Sequence, residues 1–224
     1  RALTIDLDAN DNGTTADVIF GDTTADTLGA TNPLGAITIT GDMDLNAAIT
    51  SAASISVSGT SNLGASVTTS GNQTYTGDVI ISANVSLSGG SQLLFGGTVN
   101  SSNTASTSDA RTLTTTFTET EFDGIVGGSY ALGAMDINGN LDLDAAITNA
   151  TSVDVSGTSN LGASVTTTGT QTYHGAVTLS AATVTLTTTD SNITFNGTID
   201  SDGVSARALT IDLDANDNGT TADV

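Results

Sequence analysis

An acidic segment near the start of the chain holds residue types that bind calcium. Asp8, Asn10 and Asn12 occupy alternate positions, a glycine follows, and Asp17 closes the segment. Carboxylate and amide oxygens are ligands that Ca²⁺ prefers, and this spacing matches the opening of an EF-hand loop. The twelfth position is Ile19 instead of a bidentate acid, so an EF-hand is not expected. We favour a plain polar turn here, and the alternative is a looser calcium loop built by Asp8, Asn10, Asn12 and Asp17.

The residues that acid–base catalysis would need are sparse. His174 is the only histidine, and we interpret it as a surface residue. Glu119 and Glu121 lie two apart and would share a strand face, but a pair of acids alone defines no mechanism. Enzymes that cleave acidic polysaccharides combine acids with Lys or Arg, whereas this chain has no lysine and three arginines. We therefore predict that the protein is not an enzyme.

The net charge of −21, from 24 acidic and 3 basic residues, restricts the partners. A chain of this sign is repelled by nucleic acid. Carboxylates on adjacent strands also repel one another, which makes divalent cations expected partners. Two further acidic pairs look like solvated outward strand residues: Asp42/Asp44 and Asp142/Asp144. Cysteine is absent, so neither disulfides nor thiolate metal sites are expected. The sequence contains no run of about eighteen apolar residues, so membrane insertion is not expected.

The chain repeats itself at two spacings. Arg1 to Val18 return letter for letter at Arg207 to Val224, a period of 206 residues, and a looser repeat recurs at an offset of 98. We divide the chain into a first half-repeat (1–110), a second half-repeat (111–206) and the start of the next unit (207–224). Repeating units bury their apolar faces by stacking on neighbours. The expected partners are therefore neighbouring copies of the unit, in the same chain or as head-to-tail subunits.

Alternating apolar and polar residues predict short strands throughout. Leu3, Ile5 and Leu7 share one face of LTIDLD, and similar segments end at Gly, Asn, Asp or Ser. We predict an all-β, right-handed parallel β-solenoid built from tandem repeats, with rungs of about 20 to 25 residues. Tandem Ig-like β-sandwiches of about a hundred residues are the alternative, since the half-repeat has that length.

Three segments resemble the β-strand-repeat regions of giant bacterial surface and secreted proteins, including filamentous-haemagglutinin-like exoproteins. They are SNLGASVTTSGNQTYTGDVIIS (Ser61 to Ser82), ITFNGTIDSDG (Ile193 to Gly203) and RALTI (Arg1 to Ile5). The resemblance implies an extracellular rod that adheres, coats or spans distance, and it transfers no catalytic residues.

Together these patterns favour a structural repeat unit of a bacterial extracellular fibre, filament or giant surface protein. The expected location is extracellular or on the cell surface. The alternative is an ice-binding or calcium-dependent adhesin β-solenoid. Ice binding is considered because Thr-x-Thr occurs in Ala36 to Thr40 and Val184 to Asp190.

Overall fold

The fold is a coil of short parallel strands. The computed structural model describes residues 1–7, 17–21, 26–102 and 110–216, and in these residues it contains 24 strands and no helix. In the first half of the chain the strands are β1 (Leu3–Asp6), β2 (Asp17–Phe20), β3 (Thr27–Leu28), β4 (Leu34–Thr40), β5 (Asp42–Leu45), β6 (Ala48–Val57), β7 (Ser61–Leu63), β8 (Val67–Thr69), β9 (Gln73–Tyr75), β10 (Val79–Ile81), β11 (Val85–Ser88), β12 (Gln92–Phe95) and β13 (Val99–Ser101). The remaining strands are β14 (Leu113–Phe122), β15 (Leu132–Leu143), β16 (Ile147–Val155), β17 (Ser159–Leu161), β18 (Val165–Thr167), β19 (Gln171–Tyr173), β20 (Val177–Leu179), β21 (Thr183–Thr187), β22 (Ile193–Phe195), β23 (Ile199–Ser201) and β24 (Ala208–Asp212).

The strands stack on three sides of the coil. Side 1 runs from β1 through β4, β9, β12, β17 and β20 to β23. Side 2 runs from β2 through β5, β7, β10, β13, β18 and β21 to β24. Side 3 runs from β3 through β8, β11 and β19 to β22. The long strands β6, β14, β15 and β16 bend around corners, and each contributes to two sides.

The length of a turn varies along the coil. Regular turns take 18 residues, the separation of Asp44 and Asn62, which are paired in register and joined by a side-chain hydrogen bond. Other turns are longer because extra residues are inserted at corners: Val126 and Thr148, joined across one turn, are 22 residues apart. The regular turn is shorter than the predicted rung because a side needs only a strand of 3 residues and a tight corner.

The prediction of a parallel β-solenoid is confirmed. Every pairing between the strands named above is parallel, and the antiparallel contact among the described residues is an isolated bridge between Thr189 and Asp214. The Ig-like alternative is therefore wrong, because an Ig sandwich is built from antiparallel sheets. The two half-repeats share one continuous core, since β11 of the first half pairs with β14 of the second.

The interior is narrow and filled by ladders of like side chains. Aliphatic residues supply most of it, and aromatic rings form two stacks. Tyr75, Phe95 and Phe122 stack on side 1 with ring centroids 5.7 and 5.1 Å apart. Tyr173 and Phe195 stack on side 3 at 5.3 Å. Because strands in register place equivalent side chains one above another, each ring covers the face of the next.

A buried glutamine beside each of the stacked tyrosines, Tyr75 and Tyr173, links the interior to the backbone. Gln73 donates from Nε2 to the carbonyl oxygens of Val67 (3.1 Å) and Ser88 (3.0 Å), and its Oε1 accepts from the Tyr75 hydroxyl (3.2 Å). The same arrangement recurs in the second half-repeat, where Gln171 and Tyr173 repeat the contacts. Burial without charge compensation raises the pKa of both tyrosines, so they stay protonated donors.

Glycines line the corner between sides 1 and 2. A Cβ on Gly77 would overlap the carbonyl oxygen of Gly59, and one on Gly97 would lie 2.5 Å from the carbonyl carbon of Gly77. The backbones of successive turns therefore meet at this corner without room for a side chain.

Within the described residues, the structure contains no helix that could span a membrane.

Candidate functional site

An acidic triad forms where two long strands end next to each other. Phe122 of β14 is paired with Leu143 of β15 on side 1, so Asp123 and Asp144, which follow these strands, lie side by side at the corner, next to Glu121 near the end of β14. Glu121, Asp123 and Asp144 thereby place carboxylate oxygens within 4.8 Å of one another. Glu121 is half-buried, and the other two side chains are exposed. We call Glu121, Asp123 and Asp144 the acidic triad.

The surroundings of the acidic triad disfavour negative charge. Partial burial, and then the charge of Asp123 and a hydrogen bond with it, raise the pKa of the Glu121 carboxyl. Partial burial also raises the pKa of Asp144, and the charges of Asp142 and Asp123 add to this effect. In the opposite direction, the amide of Gln92 donates from Nε2 to Glu121 Oε2 at 2.5 Å, a bond that favours the charged carboxylate. Three acids this close hold a proton more firmly than isolated acids do, or are relieved by a cation.

The chemistry of the acidic triad suits a divalent ion. Hard cations such as Ca²⁺ take carboxylate oxygens, and each residue here offers one. The sequence pairs Glu121 with Glu119 and marks Asp144 as a solvated strand residue, so it does not bring the three acids together. Asp123 and Asp144 lie one turn apart, as the register Thr120↔Leu141 shows. A sequence analysis would find that Asp123 and Asp144 are neighbours only if it recognised the length of the turn that separates them.

The segment considered as a polar turn or a calcium loop lies mostly outside the described residues. Asp8, Asn10 and Asn12 are among the residues that the structure does not describe. Asp17 is the first residue of β2, where it is paired with Asp42 of β5. The calcium loop therefore stays a hypothesis, and the structure places Asp17 on side 2, beside another acid.

Several other aspartates support the coil through hydrogen bonds between turns. Asp44 Oδ1 accepts from Asn62 Nδ2 at 2.8 Å, and Asp142 Oδ1 accepts from Asn160 Nδ2 at the same distance. Each pair joins one turn to the next, and the second pair is the half-repeat counterpart of the first. In each pair the neighbour of the aspartate on the next turn is an asparagine amide, so the two turns are joined by a hydrogen bond where a second carboxylate would repel the first.

Aspartate side chains also bind the backbone of the following turn. Asp42 Oδ1 accepts from the backbone N–H of Thr60 at 2.6 Å, and Asp78 Oδ1 accepts from that of Thr98 at 2.8 Å. An asparagine, Asn140, does the same for Thr158 at 2.9 Å. These contacts satisfy N–H groups at the corners, where the strand ladder is interrupted.

His174 and Glu119 lie where the sequence suggested. His174 is exposed, with Nε2 3.2 Å from Asp154 Oδ1 and Nδ1 3.1 Å from the amide nitrogen of Asn196. Glu119 and Glu121 project from the same face of β14, as their spacing predicted. The contacts of His174 join three successive turns of side 3, so they have a structural explanation.

A surface depression lies on side 2 beside the loop after β14. It has a volume of about 270 Å³ and is lined in part by Ile80, Asn100 and Tyr130. Asn100 Oδ1 accepts from the backbone N–H groups of Ser129 (2.8 Å) and Tyr130 (3.2 Å), which fixes the loop against the coil. Ile80 and Tyr130 remain exposed at its rim.

Comparison of the chain with known protein families, with curated proteins and with solved structures finds no match.

Proposed function

We propose that the chain is a structural repeat unit of a bacterial extracellular fibre, filament or giant surface protein, with a coating, spacing or adhesive role. The observation that carries this proposal is the combination of a parallel β-solenoid with a sequence that starts again at Arg207. A coil whose turns are alike lengthens without changing its cross-section, because each new turn covers the previous one. The resemblance of Ser61 to Ser82 to surface-protein repeats supports the same function.

The exposed surface suits a fibre in water. Polar side chains of Thr, Ser, Asn and Asp alternate with the buried ladders on each side, as the strand Val85–Ser88 illustrates. The net charge of −21 keeps separate fibres apart. Lysine is absent, so lysine-specific proteases have no site in this chain.

The proposal is tested on the source cells. An antibody raised against the folded chain is applied to intact and to lysed cells, followed by electron microscopy. We expect labelled filaments outside intact cells, with an axial rise of roughly 40 to 48 Å per unit if a unit holds eight to ten turns of about 4.8 Å. Labelling confined to lysed cells, or discrete labelled globules, would contradict the proposal. Denaturing electrophoresis of the same material separates one giant chain from assembled subunits near 22.1 kDa.

A second candidate role, calcium-dependent adhesion, is favoured by the acidic triad. Three carboxylates within 4.8 Å of one another are a suitable ligand set for Ca²⁺. Calorimetric titration of the chain with CaCl₂ is compared with the variant Glu121→Gln/Asp123→Asn/Asp144→Asn. A matched control, Asp136→Asn/Asp154→Asn/Asp200→Asn, removes the same charge from exposed positions. Heat that disappears only in the triad variant supports this role, whereas equal heats in all three proteins count against it.

The ice-binding alternative has weaker support. Thr40 and Thr187 end the two Thr-x-Thr strands, and their partners in the ladder are Asp6 and Asp212. An acid in each threonine row interrupts a flat array of hydroxyl and methyl groups. Ice binding stays a hypothesis that a measurement of thermal hysteresis decides.

A further inference from the structure

The same strand occurs at both ends of the structure, with a different neighbour at each end. RALTID is found at Arg1 to Asp6 and again at Arg207 to Asp212. As β1 it pairs with β4, with Leu3 opposite Ile37 and Ile5 opposite Ile39. As β24 it pairs with β21, with Leu209 opposite Val184 and Ile211 opposite Leu186. The copy at β1 therefore shows the strand that follows it in the stack, β4, and the copy at β24 shows the strand that precedes it, β21.

We propose that in the tandem array this strand is shared: it is the last strand of one unit's side 2 and the first strand of the next unit's side 1. The coil then continues from unit to unit without a break, and each unit is turned by one side, about 120°, relative to the one before. This inference rests on the proposed function as a repeat unit and adds the register and the rotation of the junction.

The two sets of backbone contacts are compatible. Towards β21, the N–H of Ala208 donates to the Ala182 carbonyl (3.0 Å) and the Asp212 carbonyl accepts from Thr188 (2.9 Å). Towards β4, the carbonyl of Arg1 accepts from Gly35 (2.7 Å) and the N–H of Leu7 donates to the Thr40 carbonyl (2.9 Å). Arg1 and Leu7 correspond to Arg207 and Leu213, so these four bonds use different atoms of the shared strand. A strand in a parallel ladder has such alternating groups for two neighbours.

The inward residues agree as well. Leu209 and Ile211 are half-buried beneath the fully buried Val184 and Leu186. At the other end, Leu3 is 37% exposed although Ile37, its partner, is fully buried. Each copy of the strand is covered on one edge only, and the edge that is open in one copy is covered in the other. Superposing the two copies buries the strand on both edges, as expected for an interior strand.

The rotation follows from the sides that the strands occupy. β1 lies on side 1, whereas β24 continues the stack of side 2. The half-repeats already show such rotation inside the unit: Tyr75 belongs to the ladder of side 1, and its counterpart Tyr173 to that of side 3. The strands after Arg1, Arg111 and Arg207 accordingly lie on sides 1, 3 and 2. Equivalent surface groups return to the same side after three units.

The next strand of the following unit then has a defined place. β2 comes after β1 on the next side, so in the following unit it would cover β22 on side 3. Val18 and Phe20 are its inward residues, and Ile193 and Phe195 are those of β22. The ring of Phe20 from the following unit would lie on Phe195, which already stacks on Tyr173. The junction would thereby repeat the three-ring stack seen on side 1.

Amide hydrogen exchange tests the shared strand. The chain of 224 residues is compared with the same chain extended by one unit, residues 1–206 followed directly by residues 1–224. We expect the amide of Leu213 to exchange at least tenfold more slowly in the extended chain, because it donates to Thr40 of the following unit. The amide of Ala208, which donates to Ala182 in both proteins, is the internal control. Equal exchange of Leu213 in the two proteins would overturn the proposal.

Two variants of the extended chain and its crystal structure complete the test. Ile211→Asp places a charge at the inward position and should abolish the protection of Leu213, whereas Thr210→Asp, outward on the same strand, should leave it intact. Loss of protection in both variants, or in neither, would contradict the shared strand. In the crystal structure, equivalent residues of the two units should be related by a rotation of about one third of a turn. Units related by translation alone, or separated by a break in the ladder, would overturn the rotation. These experiments need no native fibre, so a failed cell-surface labelling and a failed junction are distinguishable.

Discussion

Gln73 is one of the polar side chains buried inside the coil, and its substitution is predicted to destabilise the fold. Gln73 is fully buried, satisfies two backbone carbonyls and accepts from Tyr75. Gln73→Leu would leave these groups without their partner, at a cost of about 3 kcal/mol in the free energy of unfolding. Urea denaturation followed by circular dichroism measures the loss. Thr74→Val, on the outward face of the same strand, is the control and should change stability little.

A double variant separates hydrogen bonding from packing at this position. Adding Tyr75→Phe to Gln73→Leu removes the hydroxyl that the leucine leaves unpaired, so part of the lost stability should return. A double variant that is less stable by the sum of both single effects would show that the network does not act as a unit.

The glycine corner gives a second prediction for a single residue. Gly77→Ala would drive a Cβ into the backbone of Gly59, which has no side chain that moves aside. We expect a loss of about 1 to 3 kcal/mol in unfolding free energy, as for other overpacked positions. Gly128→Ala is the matched control, because the nearest atom to its Cβ would be a methyl carbon of Ile125 at 3.0 Å. Equal stability of the two variants would contradict the close approach of the turns.

The acidic triad predicts the direction of the pH dependence. The pKa values of Glu121 and Asp144 are raised in the folded state, so the folded chain binds protons more tightly than the unfolded chain. Stability should therefore rise as the pH falls from neutrality through the raised values, and the gain is complete near the ordinary carboxyl pKa of about 4. The pKa of Asp202 is lowered by a hydrogen bond from Arg207. Its contribution to stability is therefore present at neutral pH and is lost as the pH falls through the lowered pKa.

Melting temperatures between about pH 4.5 and 8 at low salt measure this effect. The variant Glu121→Gln/Asp144→Asn should flatten the profile, and Asp136→Asn/Asp200→Asn, with the same change in charge, should leave the slope of the profile closer to that of the parent. A profile that rises towards neutral and alkaline pH in the parent protein would contradict the assignment.

At the scale of the strand, the alternation of residues predicts several of the elements. LTIDLD, AITIT, VSLSG and VTLTT coincide with β1, β4, β11 and β21, because a half-buried strand alternates inward apolar and outward polar residues. The regular three-sided turn is harder to recognise. Its inward positions recur at steps of six, as from Val67 to Gln73, but Ser61 and Gln73 occupy two of them. The apolar pattern is therefore interrupted where the side chains are most deeply buried.

The candidate site is harder to predict because it depends on register. Glu121 and Asp144 are separated in sequence by a long strand and a corner, and only the pairing of β14 with β15 makes them neighbours. The predicted ligands at the start of the chain come from a local pattern, which indicates the chemistry of a segment but not its neighbours. To predict such a site from the sequence, one would need the number of residues in each turn, which the spacing of the inward-facing residues would have to reveal.

For the whole molecule, the same stacking rule governs the interior and the ends. Each turn contacts the turn before and the turn after, and no strand of the described residues depends on a distant part of the coil for its pairing. The exposed residues at the two ends, Leu3 and Ile199, mark where further turns would attach. In the proposed fibre of such units, every joint would be of one kind.

The direction of the ladder hydrogen bonds determines how such a fibre responds to force. Strands lie across the axis, so their hydrogen bonds point along it, and tension applied at the two ends of the coil separates the outermost turns first. A regular turn that peels away releases 18 residues, or roughly 60 Å of extended chain in place of about 4.8 Å of coil. A tether built in this way lengthens stepwise under load, dissipates work at each step and rewinds on the template of the turns that remain.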